Sequence, residues 1–175
     1  MGLTRTRLTL LLTCAVLAPL AFAHTDDGCA SFTWDVSREL AAMRTPAAPA
    51  NATPKATPAG QTLELGKHYS ATLLPQAAVN FVVPPARQRK AAQPKAGLLS
   101  FKTEKSGRYR VSITSSHWID LLNGVTVIDS MGHEGRGGCG PLHKIVEFEL
   151  PANTAITLQL SGNDDAVVGI IVTST

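Results

Sequence analysis

This chain contains little that commits it to one chemistry, and each absence removes a class of function. No apolar run beyond the first two dozen residues approaches the roughly 20 residues that a membrane helix requires, so no later transmembrane helix is expected. There is no Gly-x-Ser-x-Gly elbow to present a serine nucleophile. No His-x-His or His-Glu-x-x-His spacing places two metal ligands on one element. Cysteine is limited to three residues, charged residues to 17% and aromatics to 5%.

What is present begins with an export signal. Arg5 and Arg7 supply a positive start, residues 8–20 an apolar run, and Ala21-Phe22-Ala23 a small-x-small cleavage site. The expected signal peptide is 1–23, the mature chain begins at His24, and the destination is the periplasm or the exterior. Cleavage removes two arginines and lowers the formal charge from +3 to +1, so the basic pI is no argument for nucleic acid. About 150 residues remain, enough for one domain with a real core. Cleavage also removes Cys14 and leaves Cys29 and Cys139 in an oxidising compartment, where a disulfide between them is expected. It closes a loop of about 110 residues, for which the chain-entropy model gives about 4–5 kcal/mol.

Within 24–44, Trp34, Leu40 and Met43 share a helical face, and Asp35 or Ser37 stands ready to cap it. Segment 45–61 is rich in Pro, Ala and Thr, with almost no large apolar residue, and reads as an extended linker. It includes Asn51-Ala52-Thr53, a glycosylation sequon where the host uses one. From 62 to 175 the pattern becomes strand and turn. Strands are predicted at 62–65, 68–74, 78–83, 98–103, 108–114, 118–122, 125–129, 144–150, 155–160 and 167–173, with Asn123-Gly124 as a type I′ hairpin turn. Tyr109, Val111 and Ile113 alternate with polar neighbours, and Val146, Phe148 and Leu150 do the same, so one face of each strand is core and the other wet. The fold class is all-β: a two-sheet antiparallel β-sandwich of jelly-roll type, preceded by one short helix and the linker.

With the strands placed, Ser106-Gly107-Arg108-Tyr109-Arg110-Val111, Phe148-Glu149-Leu150-Pro151 and Thr157-Leu158-Gln159-Leu160-Ser161-Gly162 give the β region a pattern similar to that of prepeptidase C-terminal type domains. That resemblance implies an exported accessory module linked with polymer binding or secretion. The chain also resembles a set of small exported bacterial proteins through Trp34-Asp35-Val36, Tyr109-Arg110-Val111-Ser112-Ile113-Thr114-Ser115, His117-Trp118-Ile119-Asp120 and the run from Lys144 to Pro151. Some of those carry the name homogentisate 1,2-dioxygenase, which implies a cupin-like fold and iron held by two histidines and a glutamate. No matching His-rich strand motif is present in this shorter chain, so that name transfers no residue.

The candidate functional residues are few. The Gly-rich run from Gly132 to Gly140 reads as a flexible crossover pinned by Cys139, with a ligand-binding loop as the alternative; it lacks the Gly-Lys-Ser/Thr ending of a phosphate loop. His68, His117, His133 and His143, with Asp120 and Glu134, are scattered rather than set at ligand spacing. His24, exposed by cleavage, offers an amino group and a ring nitrogen to copper, with His117, His133 or His143 as a second ligand. Ser115-Ser116-His117 is not a dyad signature, because adjacent strand residues face opposite sides. A basic run lacking acids spans 66–103 and reads as a solvated loop, with anionic polymer or lipid headgroups as its alternative contact. Trp118 shares its parity with Asp120; if Ile119 faces the core, Trp118 is partly exposed and able to stack on a sugar or a partner. Trp118, Asp120, His133 and Glu134 are therefore the ligand-binding candidates, and His24, His133 and His143 the metal candidates. The expectation is a non-enzymatic exported binding or structural module without cofactor, contacting an exported partner or polymer. The alternative is a copper- or iron-dependent oxidoreductase.

Overall fold

The computed structural model describes residues 1–2, 32–56, 61–137 and 139–175. The expected signal peptide, His24 and Cys29 lie outside the described residues. Among the described residues, one α-helix, α1 (Ser37–Met43), precedes twelve strands: β1 (Ala48–Asn51), β2 (Thr62–Leu63), β3 (Tyr69–Thr72), β4 (Leu74–Pro75), β5 (Lys95–Lys102), β6 (Gly107–Ile113), β7 (Trp118–Asn123), β8 (Thr126–Ile128), β9 (Ser130–Gly135), β10 (Lys144–Leu150), β11 (Ala155–Asn163) and β12 (Val167–Ser174). They form two packed sheets, ordered β1-β3-β12-β6-β10-β9 and β2-β5-β11-β7-β8, with β4 added to one end of β5. The β-sandwich is thus as expected, but the sheets are mixed. The β1–β3 and β2–β5 pairs are parallel, while the other named pairs are antiparallel.

Alternation places the core. Tyr109, Val111 and Ile113 of β6 and Val146, Phe148 and Leu150 of β10 face Phe101, Ile119, Leu121, Ile156, Leu158 and Leu160 of the other sheet. The expectation of a wet outer face fails on the first sheet. Ile145 and Ile171 point outward and are 0% exposed, because Phe32, Val36, Met43, Cys139 and Leu142 cover them. Polar contacts fix this cover: Thr173 Oγ1 donates to the buried Glu39 carboxylate at 2.8 Å, and Arg110 reaches Glu147 at 3.0 Å and the Asp35 carbonyl at 2.9 Å. Neither expected residue is the cap: the N-cap is Val36, without a side-chain cap bond, and Asp35 just before it accepts the Ser37 N–H at 2.9 Å.

Four further readings are corrected. Segment 45–61 is not a free linker, since it contributes β1. Alanines at 48, 50 and 52 are small enough to lie close to the sheet, and Pro49 is tolerated because β1 is an edge strand. The strand predicted at 78–83 is absent: Gln76–Ala78 forms one 3-10 turn, and the chain then crosses the outer face of the second sheet. The Gln159 side chain takes the place of a neighbouring strand there, accepting Val82 N–H at 2.8 Å and donating to the Val83 carbonyl at 3.2 Å. The hairpin at 123–126 centres on Gly124-Val125, because Asn123 pairs with Thr126; Gly124, at φ 60°, takes the first central position of a type II′ turn. Finally, the Gly-rich run is partly strand, because β9 pairs with β10.

Ile145→Ala should cost about 2–4 kcal/mol in chemical denaturation, the price of a buried cavity. A solvated outer face would limit the loss to about 0.5 kcal/mol.

Candidate functional site

The row of inward-facing residues on β10 continues to its first residue. Lys144 shares parity with Val146 and Phe148, so its stem lies along the seam between the sheets where the apolar core ends. A cavity of about 320 Å³ opens there. Ile119 and Val146 contribute apolar surface, Trp118 lines it from β7, His133 from β9 and Lys144 from β10, and Ser116 and His143 from the connections just before β7 and β10. Arg87 and Arg89 enter from the loop between β4 and β5, and Arg136 from the end of β9.

That loop is held by side chains at several points. Asp120 accepts Ala86 N–H at 3.3 Å, and Asp164 accepts the amides of Ala92 and Gln93 at 3.2 and 2.7 Å. Arg89 donates to the Ser116 carbonyl. Gly162, at φ 76°, leaves room for it: a Cβ there would lie 3.1 Å from that of Arg89. The two arginines are therefore presented by an anchored segment, although both are exposed.

Trp118 is half-buried and oriented from its edge, its indole N–H donating to Asp120 Oδ1 at 2.8 Å. Lys144 Nζ lies 5.0 Å from the ring centroid and the Arg87 guanidinium 5.9 Å, within cation–π range. Lys144 Nζ donates to the His117 carbonyl at 3.0 Å. Burial, with repulsion from Arg89 and Arg87, pushes Lys144 down to about 8, against the attraction of Asp120. Burial raises the Asp120 carboxyl, opposed by its bonds from Trp118 and Ala86 and by Lys144. Among the described residues, Arg87, Arg89 and Lys144 enter no ion pair, and no carboxylate residue is in the cavity lining. The cavity has a net positive field.

The candidates divide accordingly. Trp118, His133 and His143 do line one cavity, and Asp120 stands behind Trp118. With Ile119 in the core, the conditional reading of Trp118 as partly exposed holds. Glu134 faces the opposite side of β9 from His133 and belongs to the N-terminal cover. It accepts Thr33 N–H at 2.9 Å and Trp34 N–H at 3.2 Å, with Arg136 3.6 Å away. Burial pushes its carboxyl up, but Thr33, Trp34 and Arg136 outweigh this and hold it below the usual range. Gly132 admits Trp34 on the same strand, since a Cβ there would lie 3.2 Å from the ring. His68 lies apart, its Nδ1 3.0 Å from the Thr45 carbonyl.

Ser115 and His117 do meet, Oγ to Nδ1 at 2.7 Å, because both lie in the short connection between β6 and β7 rather than in a strand. The pair is sealed, at 4% and 0% exposure, and burial pushes His117 down to about 4. Its imidazole is neutral at physiological pH and out of reach of a substrate. Among the described residues, no group of three or more His, Cys, Asp or Glu side chains is placed to hold a metal ion. The copper arrangement depends on His24, which lies outside the described residues.

Sequence reasoning missed Lys144 and Arg136. Parity with Val146 was the available signal for Lys144; for Arg136 it was membership of the Gly-rich run from Gly132 to Gly140, whose alternative reading was a ligand-binding loop. No family model matches this chain, and neither the curated proteins nor the solved structures give a match.

Lys144→Met should raise the thermal midpoint by a few degrees at pH 7, because it removes a desolvated charge. The folded-state pKa is below the unfolded value, so the unfolded chain binds more protons between about pH 8 and 10.5. Wild-type stability relative to this variant should therefore rise across that window. A flat wild-type-minus-variant difference in denaturation at pH 7 and 9.5 would remove the desolvation argument.

Proposed function

We propose that this chain is an exported, non-enzymatic binding module that captures an anionic ligand in the cavity beside Trp118. The observation that carries the reading is the lining itself: Arg87, Arg89 and Lys144 converge on an aromatic face and an apolar floor with no acid among them. A charge pattern of this kind concentrates anions at the mouth and is weakened by salt. The formal charge expected after signal cleavage is only +1, so the local arrangement rather than bulk basicity supplies the attraction. The buried state of Ser115 and His117 argues against hydrolysis by that pair.

The export reading rests on the N-terminal sequence, and the Cys29–Cys139 disulfide belongs to it. Cys139 is 1% exposed and packs in one cluster with Phe32, only three residues after Cys29. The bridge would tie the N-terminal cover to the loop that follows β9.

Calorimetric titration at low salt should show dextran sulfate binding and neutral dextran not binding. The Arg89→Ala/Lys144→Ala variant should bind the sulfated polymer at least about tenfold more weakly, a loss of about 1.4 kcal/mol or more. Lys55→Ala/Lys102→Ala should leave affinity unchanged. Equal weakening by both pairs, or no binding by the wild type, would dismiss the cavity as the site. For the disulfide, reduction should lower the unfolding free energy by about 4 kcal/mol, and a Cys29→Ser variant should be insensitive to reductant.

A further inference from the structure

We infer that the ligand is a sugar phosphate, its phosphate monoester seated among Lys144, Arg89 and Arg87 and its ring laid on Trp118. This rests on the anion-binding reading above and narrows it to one chemical class.

The charge count comes first. Three cations surround the cavity without an ion pair among the described residues. One carboxylate would balance only one of them, whereas a phosphate monoester carries about −1.5 to −2 near pH 7. Guanidinium forks match phosphate oxygens in paired hydrogen bonds, and a lysine contributes a point charge. Lys144 is the inner cation and the two arginines sit on an exposed loop, so the anion is met from the seam and from the mouth together.

Size and polarity select the rest of the molecule. About 320 Å³ lies at the lower end of ligand cavities, which run from roughly 300 to 1,000 Å³. That suits one sugar unit and does not suit a nucleic-acid strand, which needs an extended basic track. The indole of Trp118 has its edge N–H committed to Asp120, and Lys144 and Arg87 stand over its ring at 5.0 and 5.9 Å, so a sugar ring reaches the indole face as these two cations turn from it to the phosphate. Aliphatic C–H groups of a pyranose meet that face and the Ile119 and Val146 surface, while Ser116, His133 and His143 lie in the same lining to meet hydroxyl groups. A bare phosphate would leave the aromatic and apolar surfaces unused. A neutral sugar would leave the cations unmatched.

The test is calorimetric titration of the full chain with glucose 6-phosphate, inorganic phosphate, glucose, glucuronate and adenosine monophosphate. Glucose 6-phosphate should bind at least about tenfold tighter than inorganic phosphate, the equivalent of about 1.4 kcal/mol from the ring, and glucose should not bind measurably. Trp118→Ala should bring glucose 6-phosphate to within about twofold of inorganic phosphate, a difference below about 0.5 kcal/mol, while Arg89→Ala/Lys144→Ala weakens both. Circular dichroism of each variant confirms the fold.

Glucuronate binding as tightly as glucose 6-phosphate would overturn the phosphate assignment. Adenosine monophosphate binding more tightly would replace the sugar by a nucleobase. Inorganic phosphate binding equally well would remove the ring. If dextran sulfate binds and none of these small anions does, this inference falls and the anion-binding cavity stands; if neither binds, both fall.

Discussion

The molecule depends on the burial of one row of side chains between two sheets. Tyr109, Val111 and Ile113 on β6, with Val146, Phe148 and Leu150 on β10, meet the apolar row of β7 and β11 with almost no exposure. Register follows from this, because a one-residue slip in any of these strands would carry polar or charged residues into the seam. Lys144 and Ile119 are placed by the same rows. The cavity is the end of the core, where a strand's inward parity continues after the opposing apolar residues have run out.

A sandwich of this size leaves two outer faces, and this chain covers part of each with irregular segments. Residues 32–44 lie across the first sheet, sealed by Ile145, Ile171 and Leu142 and tied by Arg110, Glu147 and Glu39. Residues 76–94 cross the second sheet over Ala96 and Leu98, with Val79 buried against them and Gln159 meeting the backbone. The second cover also carries Arg87 and Arg89 to the cavity. Anchoring it to Asp120 and Asp164 thus fixes the cover and the two arginines at once, and Asp120 holds Trp118 by the same carboxylate.

Alternation made the sandwich core legible: Val146, Phe148 and Leu150 lie where period two puts them, and β10 keeps its predicted bounds. The covers were not legible, because they obey no period. Val79, Phe81 and Val82 looked like a strand, yet their partner is a sheet's face rather than a sheet's edge. The alanines of β1 looked too small to bury, although a parallel edge position beside β3 asks for small residues. The site divides in the same way. Trp118 and His133 could be named from composition and parity, but the convergence of Arg87, Arg89, Arg136 and Lys144 joins residues from separate parts of the chain. Only the fold brings such charges together.

Lys144 carries the clearest tension between stability and use. An ammonium set against Trp118, bonded to the His117 carbonyl and pressed by two arginines, is held at a cost that burial and like charge both raise. Asp120 offsets part of this from behind the indole without entering the cavity lining, so the field at the mouth keeps its sign. A carboxylate inside the cavity would have relieved the strain more fully and would also have excluded an anion. The arrangement leaves the compensating charge to be supplied from outside, and an anion that supplies it raises the lysine's affinity for its proton as it binds. On the proposed reading, ligand capture and relief of the fold's own electrostatic cost are the same event.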